Sequence, residues 1–200
     1  MKELKAVIFD LDGTIVDVPY DWPLIKEKLG TQGAPILFYL SDLKEPEKSE
    51  KLKLLEKYEK KATAKAVLKK GIPRLMDFLE EKGIKKILVT NNSRKNVASL
   101  LKRFNLDFDY ILTRENGLWK PSGAPFLAAL KELGIEKEEC CVVGDSHFDI
   151  KAAQEAGIAQ VFIISQEKEQ FASDSVEVVE SVKKLKKRIS ATFAKKKKFL

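Results

Sequence analysis

Four carboxylates stand in two short stretches of this chain, Asp10 and Asp12 in AVIFDLDGT and Asp145 and Asp149 in CCVVGDSHFDI. The first pair follows four apolar residues, Ala6 to Phe9, that show no alternation. Such a run suits a strand covered on both faces, in the middle of a parallel sheet. Gly13 frees the next turn from steric limits, so both acids can enter one crevice beyond the strand's carboxyl end, where open α/β sheets bind ligands. Crowded carboxylates repel and disfavour double ionisation unless a cation joins them. The second pair follows another apolar run, Cys140 to Val143, with Gly144 between. Four hard oxygen donors with few neutral ligands suit Mg²⁺ rather than zinc or copper. The plainer readings are an acidic turn after the first strand and Asp145 capping the helix that starts near His147. The D-x-D pair on a second strand of the same sheet favours the metal.

Two further strand ends add groups that suit an anion. KKILVT ends in Thr90-Asn91-Asn92, where Thr90 offers a hydroxyl and the turn into the helix at Ser93 offers backbone N–H groups. A helix cap at Asn92 or Ser93 is compatible with that role. Lys120 lies in the loop LWKPSG rather than on an amphipathic face, with Pro121 restricting its backbone. From there it could neutralise phosphate oxygens as a point charge. His147 is assigned no role. Cys140 and Cys141 are adjacent in an apolar run, which makes them buried free thiols rather than a zinc set.

The elements that must position these groups alternate. From residue 71 onward, helices are predicted over 72–82, 93–104, 126–133, 148–156 and 175–189, and strands over 85–90, 110–113, 140–143 and 159–164, the last strand. That order gives an α/β, Rossmann-like parallel sheet with helices on both faces. Residues 17–71 are different. They read as a helix from Asp21-Trp22-Pro23 to Gly30, an apolar run Ile36 to Leu40, and a long charged helix from about Pro46 to Leu68. Leu52, Leu55, Ala62 and Ala66 share one face of it. No strand pattern appears there, so 17–71 is predicted to be a small all-helical cap on a core of 1–16 and 72–200, hinged near Val16 to Val18 and Gly71 to Pro73.

Two hundred residues with 44% apolar content can bury a real core. No segment approaches the roughly 20 apolar residues of a membrane helix. MKELK runs straight into the first strand, with no signal-peptide pattern, so a cytoplasmic location is expected. The net charge is +7, concentrated in KKLKKR at 183–188 and KKKK at 195–198. These lysines lack aromatic interleaving or a recognition motif, which argues against nucleic acid and for a solvated helix face and a frayed tail.

FDLDGTIVD, the TNN turn, Lys120-Pro121 and GDSHFD occur in the order and spacing of the haloacid dehalogenase-like hydrolase superfamily. The chain resembles its phosphatase branch, in particular the phosphoglycolate phosphatase and beta-phosphoglucomutase type, whose cap is a helical insertion. That resemblance implies a phosphatase acting on a small phosphorylated metabolite such as phosphoglycolate. Asp10 would be the nucleophile, and Asp12 the general acid that then activates water. Thr90, the Asn91 amide and Lys120 would hold phosphoryl oxygens. Mg²⁺ would be bound by the Asp10 carboxylate, the Asp12 carbonyl and Asp145, with Asp149 in support or ligating through water. Gly123 stands where the family often has a second Pro, which predicts a looser loop around Lys120. The cap is short, which suits an exposed site or one completed by a second copy in a homodimer. A phosphomutase of the same superfamily and a non-catalytic phospho-receiver are the competing readings. Asp12 counts against the receiver, and the short cap shows no second sugar-binding set for a mutase.

Overall fold

The computed structural model describes residues 3–171 and 175–194, so Lys195 to Lys198 of the predicted tail lie outside the described residues. Strand β1 (Ala6–Phe9) is buried along its whole length. Its side chains alternate between two cores, as the period of two in a strand requires. Val7 and Phe9 pack with Leu75, Leu79, Val97 and Leu185 on one side, and Ala6 and Ile8 pack with Phe126, Leu130 and Ile150 on the other. Strands β4 (Lys85–Val89) and β6 (Cys140–Gly144) flank β1 in parallel.

Outward from these lie β5 (Tyr110–Leu112) on one side and β7 (Val161–Ile164) then β8 (Val176–Val179) on the other. All five pairings are parallel. The chain therefore builds outward from β1 in one direction, then returns and builds in the other. That reversal leaves a crevice at the carboxyl ends of β1, β4 and β6. Helices α4 (Ile72–Glu81), α5 (Arg94–Phe104) and α8 (Val182–Ala194) cover one face, and α6 (Ala124–Leu133) and α7 (His147–Ala156) cover the other. Helix α4 shows why: Ile72, Leu75, Met76 and Leu79 fall at helical spacing and are buried.

Strand β8 corrects the sequence reading. A single helix is predicted over 175–189, but Val176–Val179 extends the sheet and the helix begins at Val182. Val178, Val182, Leu185 and Ile189 satisfy helical spacing, yet Val176, Val178 and Val179 are β-branched and pair beside β7. On α8 itself, Val182, Leu185 and Ile189 are buried while Lys183, Lys184 and Lys187 face solvent, as a solvated charged face requires. Cys140 and Cys141 are buried free thiols, pushed up by burial, Cys140 to about 12.

Between β1 and α4 the chain forms α1 (Trp22–Leu29), α2 (Ile36–Asp42) and α3 (Glu47–Thr63). Asp21 caps α1 by accepting from the Leu24 N–H at 3.0 Å, and Gly30 closes it. These helices share their own small apolar cluster of Ile25, Leu29, Leu40 and Leu55. A second correction applies here. The chain leaves and re-enters the core through an antiparallel ribbon of β2 (Val16–Asp17) and β3 (Val67–Leu68). Two-residue strands are too short to leave a periodic signal.

Candidate active site

Asp10 is the first residue beyond β1, and its N–H still bonds the Val143 carbonyl of β6 at 2.9 Å. The last sheet hydrogen bond thus aims its side chain into the crevice. Lys120 Nζ lies 2.6 Å from Asp10 Oδ1 and 2.6 Å from Asp149 Oδ1. All three groups are buried. Burial alone would lower the Lys120 pKa, but Asp10 and Asp149 outweigh it and hold the ammonium above its usual range. The lysine is positioned from behind by Asn91, whose amide donates to the Lys120 carbonyl at 2.8 Å and accepts from its N–H at 3.0 Å.

Asp149 sits in the first turn of α7 with both oxygens engaged. Oδ2 accepts from the Ser146 hydroxyl at 2.7 Å and the Ser146 N–H at 3.1 Å. Ser146 is therefore the helix cap, and the alternative in which Asp145 caps this helix fails. Asp145 instead lies against Gly13: a Cβ on that glycine would stand 1.9 Å from Asp145 Oδ2, and its φ of +81° is itself one that L side chains rarely adopt. Gly144 has a matching role, since a Cβ there would come within 2.3 Å of Asp149 Cγ. Oxygen atoms of Asp10, Asp145 and Asp149 lie within 4.8 Å of one another.

Asp12 is held by a residue the sequence reading assigned only as a cap. Asn92 Nδ2 donates to Asp12 Oδ2 at 2.8 Å and to the Tyr20 hydroxyl at 3.1 Å. Asn92 is fixed in turn by accepting from the Ser93 N–H and from Asn96 Nδ2. The Thr90 hydroxyl accepts from the Asn92 N–H at 3.1 Å, which leaves its own proton to donate. Asp12 Oδ1 is buried without a hydrogen-bond partner. Burial first, then the Asp10 charge, raise Asp12 from an ordinary 3.8 to about 7, against the Asn92 bond. Burial also raises Asp10, opposed by Lys120, and raises Asp145 with the Asp10 and Asp149 charges adding.

Gly123 overturns the expected loosening around Lys120. A Cβ at Gly123 would meet the Ala156 nitrogen at 2.5 Å, so the glycine lets the loop pack directly on the end of α7.

Asp10, Asp12 and Asp145 open into a cavity of about 330 Å³ that is also lined by Tyr20, Trp22, Phe38, Leu55 and Glu59 of the helical insert, while Asp149 stays buried behind Lys120. None of these was assigned to the site from sequence. Glu59 could have been, because it falls at helical spacing between Leu55 and Ala62 on the buried face of α3.

The raised acids make a testable coupling between pH and metal. Each folded-state pKa lies above its unfolded value, so the metal-free folded protein holds protons that the unfolded chain releases. Stability contributed this way is full below about pH 4 and is lost as pH rises through about 6 to 8. A cation that neutralises the acids should restore it. Melting curves in Mg²⁺ and in EDTA should therefore differ by several degrees more at pH 8 than at pH 5, at about 2–4 °C per kcal/mol for a chain of this size. An equal Mg²⁺ shift at both values would remove the ion from these carboxylates.

A family model described as haloacid dehalogenase-like hydrolase matches residues 18–163. An uncharacterized hydrolase of Saccharomyces cerevisiae is 34% identical, over 82% of this chain and 78% of its own. A phosphoglycolate phosphatase of Aquifex aeolicus is 30% identical, over 77% of this chain and 82% of its own. The crystal structure of a hydrolase of the same superfamily from Ehrlichia chaffeensis is 26% identical, with a TM-score of 0.65, covering 96% of this chain and 98% of that one. With the parallel sheet and the converging acids already in place, these matches establish that the chain belongs to the haloacid dehalogenase-like hydrolases.

Proposed function

We propose that the chain is a Mg²⁺-dependent phosphatase that hydrolyses a small phosphomonoester through an aspartyl-phosphate on Asp10. The observation that carries this reading is the convergence of Asp10, Asp145 and Asp149 within 4.8 Å, around a turn where Gly13 leaves room only for the Asp145 carboxylate. Those donors fit Mg²⁺, a hard cation that takes oxygen ligands. Asp10, the Asp12 backbone carbonyl and Asp145 would hold it, with Asp149 orienting Lys120. When bound, the ion would neutralise charge on the transferring phosphoryl group.

The chain's own residues supply the rest. Asp10 attacks phosphorus, and the P–O bond to the leaving group breaks as the new P–O bond forms. Asp12, raised to about 7, holds a proton on Oδ1 while Asn92 fixes Oδ2, and gives it to the leaving oxygen. The same carboxylate then takes a proton from the water that cleaves the aspartyl-phosphate, which releases phosphate and regenerates Asp10. Lys120, the Thr90 hydroxyl and the Asn91 N–H suit the equatorial oxygens, where phosphoryl transfer is catalysed mainly by positioning and charge neutralisation. Residues 17–71 would act as a cap over the 1–16 and 72–200 core and exclude bulk water. Relatives named phosphoglycolate phosphatase and pyrophosphatase support the reaction class.

The experiment is phosphate release from a panel of phosphomonoesters by the full chain. With Mg²⁺, at least one member should be hydrolysed, and EDTA should suppress that rate about 100-fold or more. No release from any member in the presence of Mg²⁺ would end this reading.

A further inference from the structure

Of the two charged side chains that the helical insert brings to the cavity, Lys26 and Glu59, only Glu59 is buried. Glu59 is 4% exposed and lines the cavity opposite the acids, beside an apolar wall that includes Trp22, Ile36, Phe38 and Leu55. Arg114, from the short turn after β5, donates through Nη1 to Glu59 Oε1 at 2.7 Å. That bond occupies one oxygen. Oε2 is buried with no hydrogen-bond partner. A buried acceptor without a donor is costly, and an aliphatic pair would join α3 to this turn with less desolvation. Arg114 Nη2 is likewise buried without a hydrogen-bond partner, so the pair meets through a single bond and the second oxygen suits a donor that arrives with the substrate.

We propose that Glu59 is a specificity-determining residue whose Oε2 accepts a hydrogen bond from a hydroxyl of the leaving group, selecting phosphate esters of neutral, ring-sized polyols over short carboxylated ones. The inference rests on the phosphatase reading above and adds the substrate class. A cavity of about 330 Å³ is at the lower end of small-molecule sites and is roomy for a two-carbon leaving group. The apolar wall matches the C–H face of a sugar ring. A carboxylated leaving group would bring a second anion toward Glu59. Lys120 is engaged by Asp10 and Asp149, which leaves Lys26 as the other cation among the described lining residues.

The test measures kcat/KM with Mg²⁺ for p-nitrophenyl phosphate, 2-phosphoglycolate, glucose 6-phosphate, ribose 5-phosphate and the monodeoxy analogues of the two sugars. At least one sugar phosphate should exceed 2-phosphoglycolate by about 10-fold, and removing one particular hydroxyl should cost about 10- to 100-fold. In Glu59→Met/Arg114→Met, which removes the ion pair without stranding either charge, that parent-to-deoxy ratio should fall to within about twofold of one. A preference for 2-phosphoglycolate, a flat deoxy series, or a ratio that survives in the double variant would each overturn the proposal. Should the double variant not fold, the deoxy series on the wild-type chain decides alone. Release from p-nitrophenyl phosphate separates the two readings, because its leaving group has no hydroxyl. If that ester and every other member resist hydrolysis, the phosphatase reading fails, and this one with it.

Discussion

Replacing Asp10 by Asn is expected to lower phosphate release by roughly 10⁴-fold or more, in line with removal of a nucleophile in other covalent enzymes. An amide has nearly the same shape but cannot attack phosphorus and leave as a carboxylate. Its oxygen can still accept from Lys120 Nζ, now 2.6 Å away, so the lysine keeps an uncharged partner beside Asp149. The fold should be retained, and without metal at pH 8 it should even gain stability. Burial penalises the Asp10 charge, and that charge also raises Asp12 and Asp145. The two readouts thus move in opposite directions. Steady-state phosphate release and melting in EDTA would measure them. Turnover within about tenfold of wild type would eliminate the covalent route through Asp10, whatever the melting temperature did.

How much of this was legible beforehand depended on the length of the signal. Strand β1 announced itself because an unbroken apolar run ends in two acids, and a two-sided strand has no other place to put them than the sheet's carboxyl edge. The alternation from α4 onward was readable because each element spans at least one full period. Strand β8 was lost because valines at 176, 178 and 179 serve a strand while 178, 182, 185 and 189 serve a helix, so spacing alone could not arbitrate. The β2–β3 ribbon was too short to show. Asp10, Asp12, Asp145, Asp149 and Lys120, which the fold brings together, could be named as candidates because carboxylates and a loop lysine at strand ends are chemically conspicuous. Asn92 was read only as a cap, since its grip on Asp12 depends on a separation of 80 residues that only the folded chain closes. Tyr20, Trp22, Phe38 and Glu59 belong to a segment whose periodicity tells which face is buried and not what that face meets. Glu59 was the exception in principle, as a charge at a core position of an amphipathic helix is a local conflict of the kind that marks function or strain.

Lys120→Met should damage catalysis and stability together, with the stability loss dependent on pH. The ammonium is buried between Asp10 and Asp149, and methionine has the length to fill its space without its charge. Removing one partner from a buried ion pair costs about 3–5 kcal/mol when the remaining charge must stay ionised. Here Lys120 opposes the upward shift of Asp10, so without it the acid is raised further. At pH 5 Asp10 can take up a proton in the folded state, and much of the penalty is avoided. As pH rises toward 8, ionisation is forced on the folded protein while the unfolded chain ionises freely, so stability falls. Asp149 loses its lysine partner at either pH, so the variant should melt below wild type at pH 5 and further below it at pH 8 in EDTA. Catalysis should drop about 10²- to 10³-fold, the typical effect of deleting one preorganised donor to a developing charge. That loss should persist at pH 5 and in saturating Mg²⁺, because the phosphoryl oxygens lose a contact that protonating Asp10 cannot replace. A melting difference that stayed constant from pH 5 to 8 would mean that Lys120 contributes packing rather than charge, and would detach it from the acids that surround it.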